Sequence, residues 1–122
     1  MSIEIANVIH AMCAVSLQAA NSLYLRQNGF SNQDVVRPAS GKFVLRLAEP
    51  LGYDSADTIP ATVDVTAIGT PATMASGAII SNGDVTYGAY AGHVLVQLFD
   101  NAGAALDGQA VNVTVKRFPT TT

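Results

Sequence analysis

Along most of residues 41–118, hydrophobic and polar side chains alternate with a period of two, the pattern of strands that bury one face. In residues 43–47, Phe43, Leu45 and Leu47 share one face, while Val44 and Arg46 take the other. Residues 62–68 contain Thr62-Val63-Asp64-Val65-Thr66, which turns two valines inward and leaves the threonines and Asp64 to water. In residues 111–118, Val111, Val113 and Val115 alternate with Asn112, Thr114 and Lys116. Residues 94–99 are apolar at nearly every position except Gln97, which predicts a central strand covered on both sides.

Turn chemistry separates these runs. Asn82-Gly83 lies between Ala78-Ile79-Ile80 and Val85-Thr86-Tyr87, and Asn-Gly tolerates the positive φ angles of a tight turn, so a hairpin is predicted there. Arg37-Pro38-Ala39-Ser40-Gly41 turns the chain into the 43–47 strand, and Glu49-Pro50-Leu51-Gly52 closes that strand. Asp100-Asn101-Ala102-Gly103 and then Asp107-Gly108 join the last two strands. Residues 53–60 and 69–76 show no clear period and read as surface loops.

The N-terminal third admits two readings. Ile5, Val8, Ile9 and Met12 fit one face of a helix, and the Ala-rich stretch through Ala20 has good helix propensity. Ile9, Ala11, Cys13, Val15 and Leu17 also alternate as a strand, and Leu23-Tyr24-Leu25-Arg26-Gln27 then leads into a second turn pair, Asn28-Gly29, before Val35-Val36. Two strands are preferred, with a short helix as the alternative. The chain is therefore expected to be all-β, an antiparallel β-sandwich of about seven to nine short strands. It reads as one domain spanning 1–122, with residues 1–20 a candidate arm and 119–122 a frayed tail.

Composition narrows the function classes. Of the 122 residues, 49% are hydrophobic and 12% charged, well away from the composition of disordered chains. There is no Trp, so the core must be built from small aliphatic and β-branched side chains. So little charge also suggests that a partner covers some apolar surface. The net charge is −3, and Arg26, Arg37, Lys42, Arg46, Lys116 and Arg117 are scattered, so no basic stripe is available for nucleic acid. No basic segment precedes an apolar one at the N-terminus. The longest apolar run, residues 8–17, is interrupted by His10 and Ser16 and is too short for a helical membrane span, so neither membrane insertion nor secretion is expected. Cys13, the single cysteine, cannot form an intramolecular disulfide and reads as a small core residue.

Candidate chemistry is sparse. His10 and His93 lie on different segments without metal-ligand spacing and read as partly buried or interface histidines. Asp100, Asn101 and Asp107 lack the alternating oxygen ligands of a helical calcium loop and read as turn formers. Asp54, Asp57 and Asp64 could approach one another as paired carboxylates, but no aromatic sugar platform accompanies them. No serine sits in a Gly-x-Ser-x-Gly elbow, and Gly-rich phosphate loops are missing. The sequence thus assigns no catalytic, cofactor-binding or metal-binding residue, and no enzyme activity is expected. Tyr53, Tyr87 and Tyr90, with Phe30 and Phe118, are the candidate contact residues, because a loop aromatic offers a large rigid surface. Ile5 and Ile9 join them as apolar positions of the candidate arm.

Three stretches together resemble a known group: Gly41-Lys42-Phe43-Val44-Leu45-Arg46-Leu47, Val63-Asp64-Val65-Thr66, and Asp100-Asn101-Ala102-Gly103 followed by the closing Val111-Asn112-Val113-Thr114-Val115. This pattern, over residues 33–118, resembles small β-sandwich structural proteins of tailed-bacteriophage virions and their tail-fibre modules. The resemblance transfers no functional residue. It implies a non-enzymatic capsid cement or decoration protein, made in the host cytoplasm and carried on the outside of the virion. There it would sit usually as a homotrimer, bound to the major capsid protein and bridging neighbouring subunits. The candidate arm would then exchange between protomers or lie on the capsid, and its deletion would leave the sandwich folded. The alternative is a tail, baseplate or fibre-associated module that binds a receptor or glycan through Tyr53, Tyr87 and Tyr90. A small enzyme built around His10 or His93 is the weakest reading.

Overall fold

Period-two burial places each strand in a layer. The computed structural model describes residues 8–32, 34–51, 61–69 and 74–117. Among them are eight strands: β1 (Val8–Leu17), β2 (Leu23–Asn28), β3 (Val36–Ala39), β4 (Lys42–Leu45), β5 (Ala61–Ala67), β6 (Met74–Ile79), β7 (Val94–Phe99) and β8 (Gln109–Arg117). They form two four-stranded antiparallel sheets, ordered β2-β1-β8-β5 and β3-β4-β7-β6, which pack together as the expected all-β sandwich. The 94–99 run is indeed central, as β7 between β4 and β6.

The N-terminal ambiguity resolves as two strands. Helix propensity is a weak prior, and here cross-strand pairing overrides it. Cys13 pairs with Val113 and Val15 with Val111, which puts Ala11, Cys13, Val15 and Leu17 on the buried face. β1 lies between β2 and β8, so residues 8–17 belong to the sandwich and are not an arm laid on it. Deleting them would remove the centre of a sheet and four core side chains, contrary to the expectation that the sandwich would survive. Residues 1–7, including Ile5, lie outside the described residues, as do 52–60, with Tyr53 and the expected 53–60 loop, and 118–122, with Phe118 and the expected tail.

Three local expectations are corrected. The Asn82-Gly83 hairpin does not form, because residues 85–87 are not a strand. Instead one carboxylate oxygen of Asp84 accepts the backbone N–H groups of Thr86, at 2.8 Å, and Tyr87, at 2.6 Å, and a single 3-10 turn, Gly88–Tyr90, follows. An Asx turn has taken the donors that a ladder would need. β6 pairs with β7 across this longer connection. The expected 69–76 loop overlaps β6, since Met74, Ala75 and Ser76 pair with Phe99, Leu98 and Gln97. Finally, Val36–Ala39 is a strand, and the turn tightens to Ser40 and Gly41. Pro38 is tolerated because β3 is an edge strand. Gly41 has φ +69, and a Cβ there would lie 2.6 Å from the Leu98 carbonyl oxygen, so only glycine fits.

The core between the sheets consists of Ala11, Cys13, Val15, Leu17, Phe30, Phe43, Leu45, Leu47, Leu51, Val94, Val96, Leu98, Val111, Val113 and Val115. On one side of the sandwich the terminal strands β5 and β6 close upon each other. A Cβ at Gly77 of β6 would lie 2.6 Å from Val63 Cγ1 and 2.8 Å from Val65 Cγ2 of β5.

Candidate functional site

The outer faces of the two sheets are finished differently. Over the β3-β4-β7-β6 sheet, Val44, Ile80 and Leu95 form a second small core, with Val36, Tyr87 and Tyr90 packed against it. The Asp84 turn holds the Tyr87 end of this cover, and Arg46 lies over the Tyr90 ring at 5.6 Å from its centre. Two of the sequence-predicted contact residues, Tyr87 and Tyr90, are thus brought together, half-buried, as part of a lid on their own sheet. A polar hollow of about 390 Å³ opens beside them, lined by Ser31, Arg46, Pro50, Tyr90 and His93 among others.

Phe30 does not reach the surface. It is buried in the main core with its ring centre 5.9 Å from that of Tyr24, which removes it from the candidate contact residues. Ile9 does reach the surface, 56% exposed on the other sheet. Among the described residues of the aromatic contact set, Tyr87 and Tyr90 thus share one surface, and Phe30 lies in the core.

The β2-β1-β8-β5 sheet has an open outer face. Register places Arg26, Ala14, Asn112 and Thr66 in one row across the four strands, and Asn28, Met12, Thr114 and Asp64 in the next. Leu23, Ser16 and Ala110 form a third row, which Ile68 extends by donating its N–H to the Ala110 carbonyl at 2.8 Å. Met12, Leu23, Leu25 and Ile68 are all exposed. A shallow depression of about 580 Å³ runs through the first two rows, between Arg26 and Asn28 on one side and Asn112 and Thr114 on the other. Leu25 is the extra residue where β2 slips register against Ala14 and Val15 of β1, so its side chain leaves the ladder and stays exposed. Sequence reasoning missed Met12, Leu23 and Leu25. Met12 was detectable: once β1 is read as a strand burying Cys13 and Val15, Met12 must point outward. The bulge that exposes Leu25 has no sequence signal.

Both histidines act as braces at one end of the sandwich. The Arg117 Nε–H donates to His10 Nδ1 at 3.1 Å, so His10 Nε2 carries the hydrogen and donates to the Glu49 carbonyl at 2.8 Å. His93 Nδ1 accepts the Leu47 N–H at 2.9 Å. Residues 47–49, which follow β4, are thereby gripped at both ends by an imidazole. Burial, helped by the nearby Arg46 charge, holds His93 below the usual histidine range. Cys13 lies in the core, where burial pushes its thiol up to about 12, the opposite of an activated thiolate.

Asp107 fastens the loop after β7 to the β3–β4 turn. It takes Arg37 Nε at 3.1 Å and Arg37 Nη2 at 2.7 Å on its two oxygens, and the Gly41 N–H at 3.0 Å. These donors hold its carboxyl below the usual carboxylate range. Asp100 accepts the N–H groups of Ala102 and Ala104, both at 2.9 Å, as the turn reading of that stretch expects. Among the described residues, no group of three His, Cys, Asp or Glu side chains is placed to hold a metal ion.

No protein-family model matches this chain, and neither a curated protein nor a solved structure is significantly similar to it.

Proposed function

We propose that this protein is a non-enzymatic structural subunit that acts through the area it covers, most specifically a cement or decoration protein bound to the major capsid protein of a tailed phage and bridging neighbouring capsid subunits. The observation that carries the reading is the unequal finish of the two sheets. One outer face carries its own lid, built around Tyr87 and Tyr90. The other is left open, with small, polar and exposed apolar side chains in register. The titratable groups that most resemble chemistry, His10, His93, Cys13 and Asp107, are engaged in bracing and packing. Mechanically, area buried against several shell subunits at once adds binding free energy that only the assembled lattice can collect, so the shell gains resistance to internal pressure.

The test is protein quantification of purified virions, paired with add-back to shells that lack the protein. The expected result is a copy number that scales with the major capsid protein, and shells that survive heat or osmotic shock better once the protein is restored. A protein absent from virions, or present only at tail stoichiometry, overturns the reading. The second reading, a tail or fibre-associated module that binds a glycan or receptor, is favoured by the polar hollow beside Tyr90 and Arg46. Specific retention on a glycan array, lost in Tyr90→Ala, would support it.

A further inference from the structure

We propose that a second copy of this chain covers the open face of the β2-β1-β8-β5 sheet, packed face to face about a two-fold axis that runs parallel to the strands between β1 and β8. Such an axis lays β2 of one copy over β5 of the other and β1 over β8, and keeps every residue at its own level along the strands. The registers then decide what meets what. Leu23 of the second copy comes over Ile68, joining two apolar side chains that are 62% and 40% exposed in the single chain. Its Asn28 comes over Asp64, and its Arg26, one row along, lies about 7 Å from Asp64 in the strand direction, within the span of an arginine side chain. Asp64 already faces Lys116 of its own chain at 3.3 Å, so the added guanidinium completes a small charge network on each side of the two-fold.

Charge selects this axis over the other face-to-face arrangement. A two-fold perpendicular to the strands stacks β2 on β2 and β5 on β5, which gathers both Arg26 side chains at one edge and both Asp64 side chains at the other. Like charges juxtaposed across an interface are penalised, whereas the parallel axis sets each Arg26 against an Asp64. The centre of the face favours close approach. Ala14, Ser16 and Ala110 are small, so two sheets can reach the roughly 10 Å spacing of aligned sandwich packing.

Area reaches what a specific contact needs. Strands of ten, six, nine and seven residues, at about 3.3 Å per residue and about 4.8 Å spacing, give a face of roughly 500 Å². Two such faces bury about 1,000 Å², the threshold for a biological interface. The pairing rests on the structural reading and deepens it, because it assigns to a second copy the open face that carries that reading.

The test is sedimentation velocity and light scattering of the whole chain over a wide concentration range, with charge-swap variants. Wild type is expected to be a dimer. Arg26→Asp alone should weaken it about tenfold or more, and Arg26→Asp with Asp64→Arg should recover most of the loss, because each two-fold contact then carries the reversed pair. Ala14→Arg, at the centre of the face, should give a monomer whose circular dichroism matches wild type. A monomer at all concentrations, a trimer, or a dimer indifferent to the swaps and to Ala14→Arg overturns the pairing. A monomer or trimer that still decorates shells would overturn it while leaving the structural role standing.

Discussion

Gly77→Ala probes the closed side of the sandwich with a single methyl group. The added Cβ would lie 2.6 Å from Val63 Cγ1 and 2.8 Å from Val65 Cγ2, where carbon atoms rest about 3.5–4.0 Å apart. Valine side chains are stiff at χ1, and rotating one away leaves the other in place, so β5 and β6 must separate by several tenths of an ångström. Overpacking of this kind costs about 1–3 kcal/mol. Replacing glycine inside a strand returns about 0.5–1 kcal/mol of backbone entropy. With mid-range values of both effects the balance is a net loss of about 1.2 kcal/mol. A 122-residue domain has an unfolding entropy near 260 cal/mol/K, so the melting temperature should fall by roughly 5 °C. Thermal and urea unfolding followed by circular dichroism give the number. Val63→Ala in the same chain removes one clashing methyl, so the double variant should lose less than the sum of the singles, with coupling of about 0.5 kcal/mol or more. A Gly77→Ala protein as stable as wild type, or more so, would refute the claim that β5 and β6 seal that side.

Two further perturbations test the packing around the site. His93 is neutral in the folded chain and held below its usual pKa by burial and then by Arg46, so the unfolded chain binds more protons at low pH. Its stabilising contribution should be complete above about pH 6.5 and decline as pH falls below that value toward the lowered folded pKa. His93→Asn, which can accept the Leu47 N–H without titrating, should flatten this part of a stability-versus-pH curve; an unchanged slope would remove His93 as its source. Tyr24→Phe removes a buried hydroxyl that has no hydrogen-bond partner among the described residues. The variant should be as stable as wild type or up to about 1 kcal/mol more stable in urea unfolding, and a clear loss would reveal a partner for that hydroxyl.

Both readings of this protein turn on its edges and outer faces, since the two sides of the sandwich are guarded unequally. On the side opposite the β5–β6 closure, β3 is short and carries Arg37 and Pro38, devices that discourage strand addition. β2 is longer and carries the exposed Leu23 and Leu25. Its bulge at Leu25 disrupts simple edge pairing, which disfavours the edge relative to the broad face as the contact for a second copy.

Period-two alternation by itself determined the fold class, the inward side of β4, β5 and β8, and the central place of β7, because any strand with one apolar face has only one way to bury it. It also marked Cys13 as core once β1 was read as a strand. Whether residues 8–17 form a strand or a helix was left to long-range pairing with β8, since both periods fit so short a stretch. The Asp84 turn likewise won over the Asn82-Gly83 signal through its own local hydrogen bonds, backed by packing of Tyr87 and Tyr90 on a cluster that includes Val44, a residue far away in sequence. Gly77, locally a strand breaker, is required in β6 by valines on another sheet. The open face, finally, is a property of four strands side by side. No single segment encodes the row of Arg26, Ala14, Asn112 and Thr66, because adjacency across a sheet is created by hydrogen-bond register and not by order along the chain.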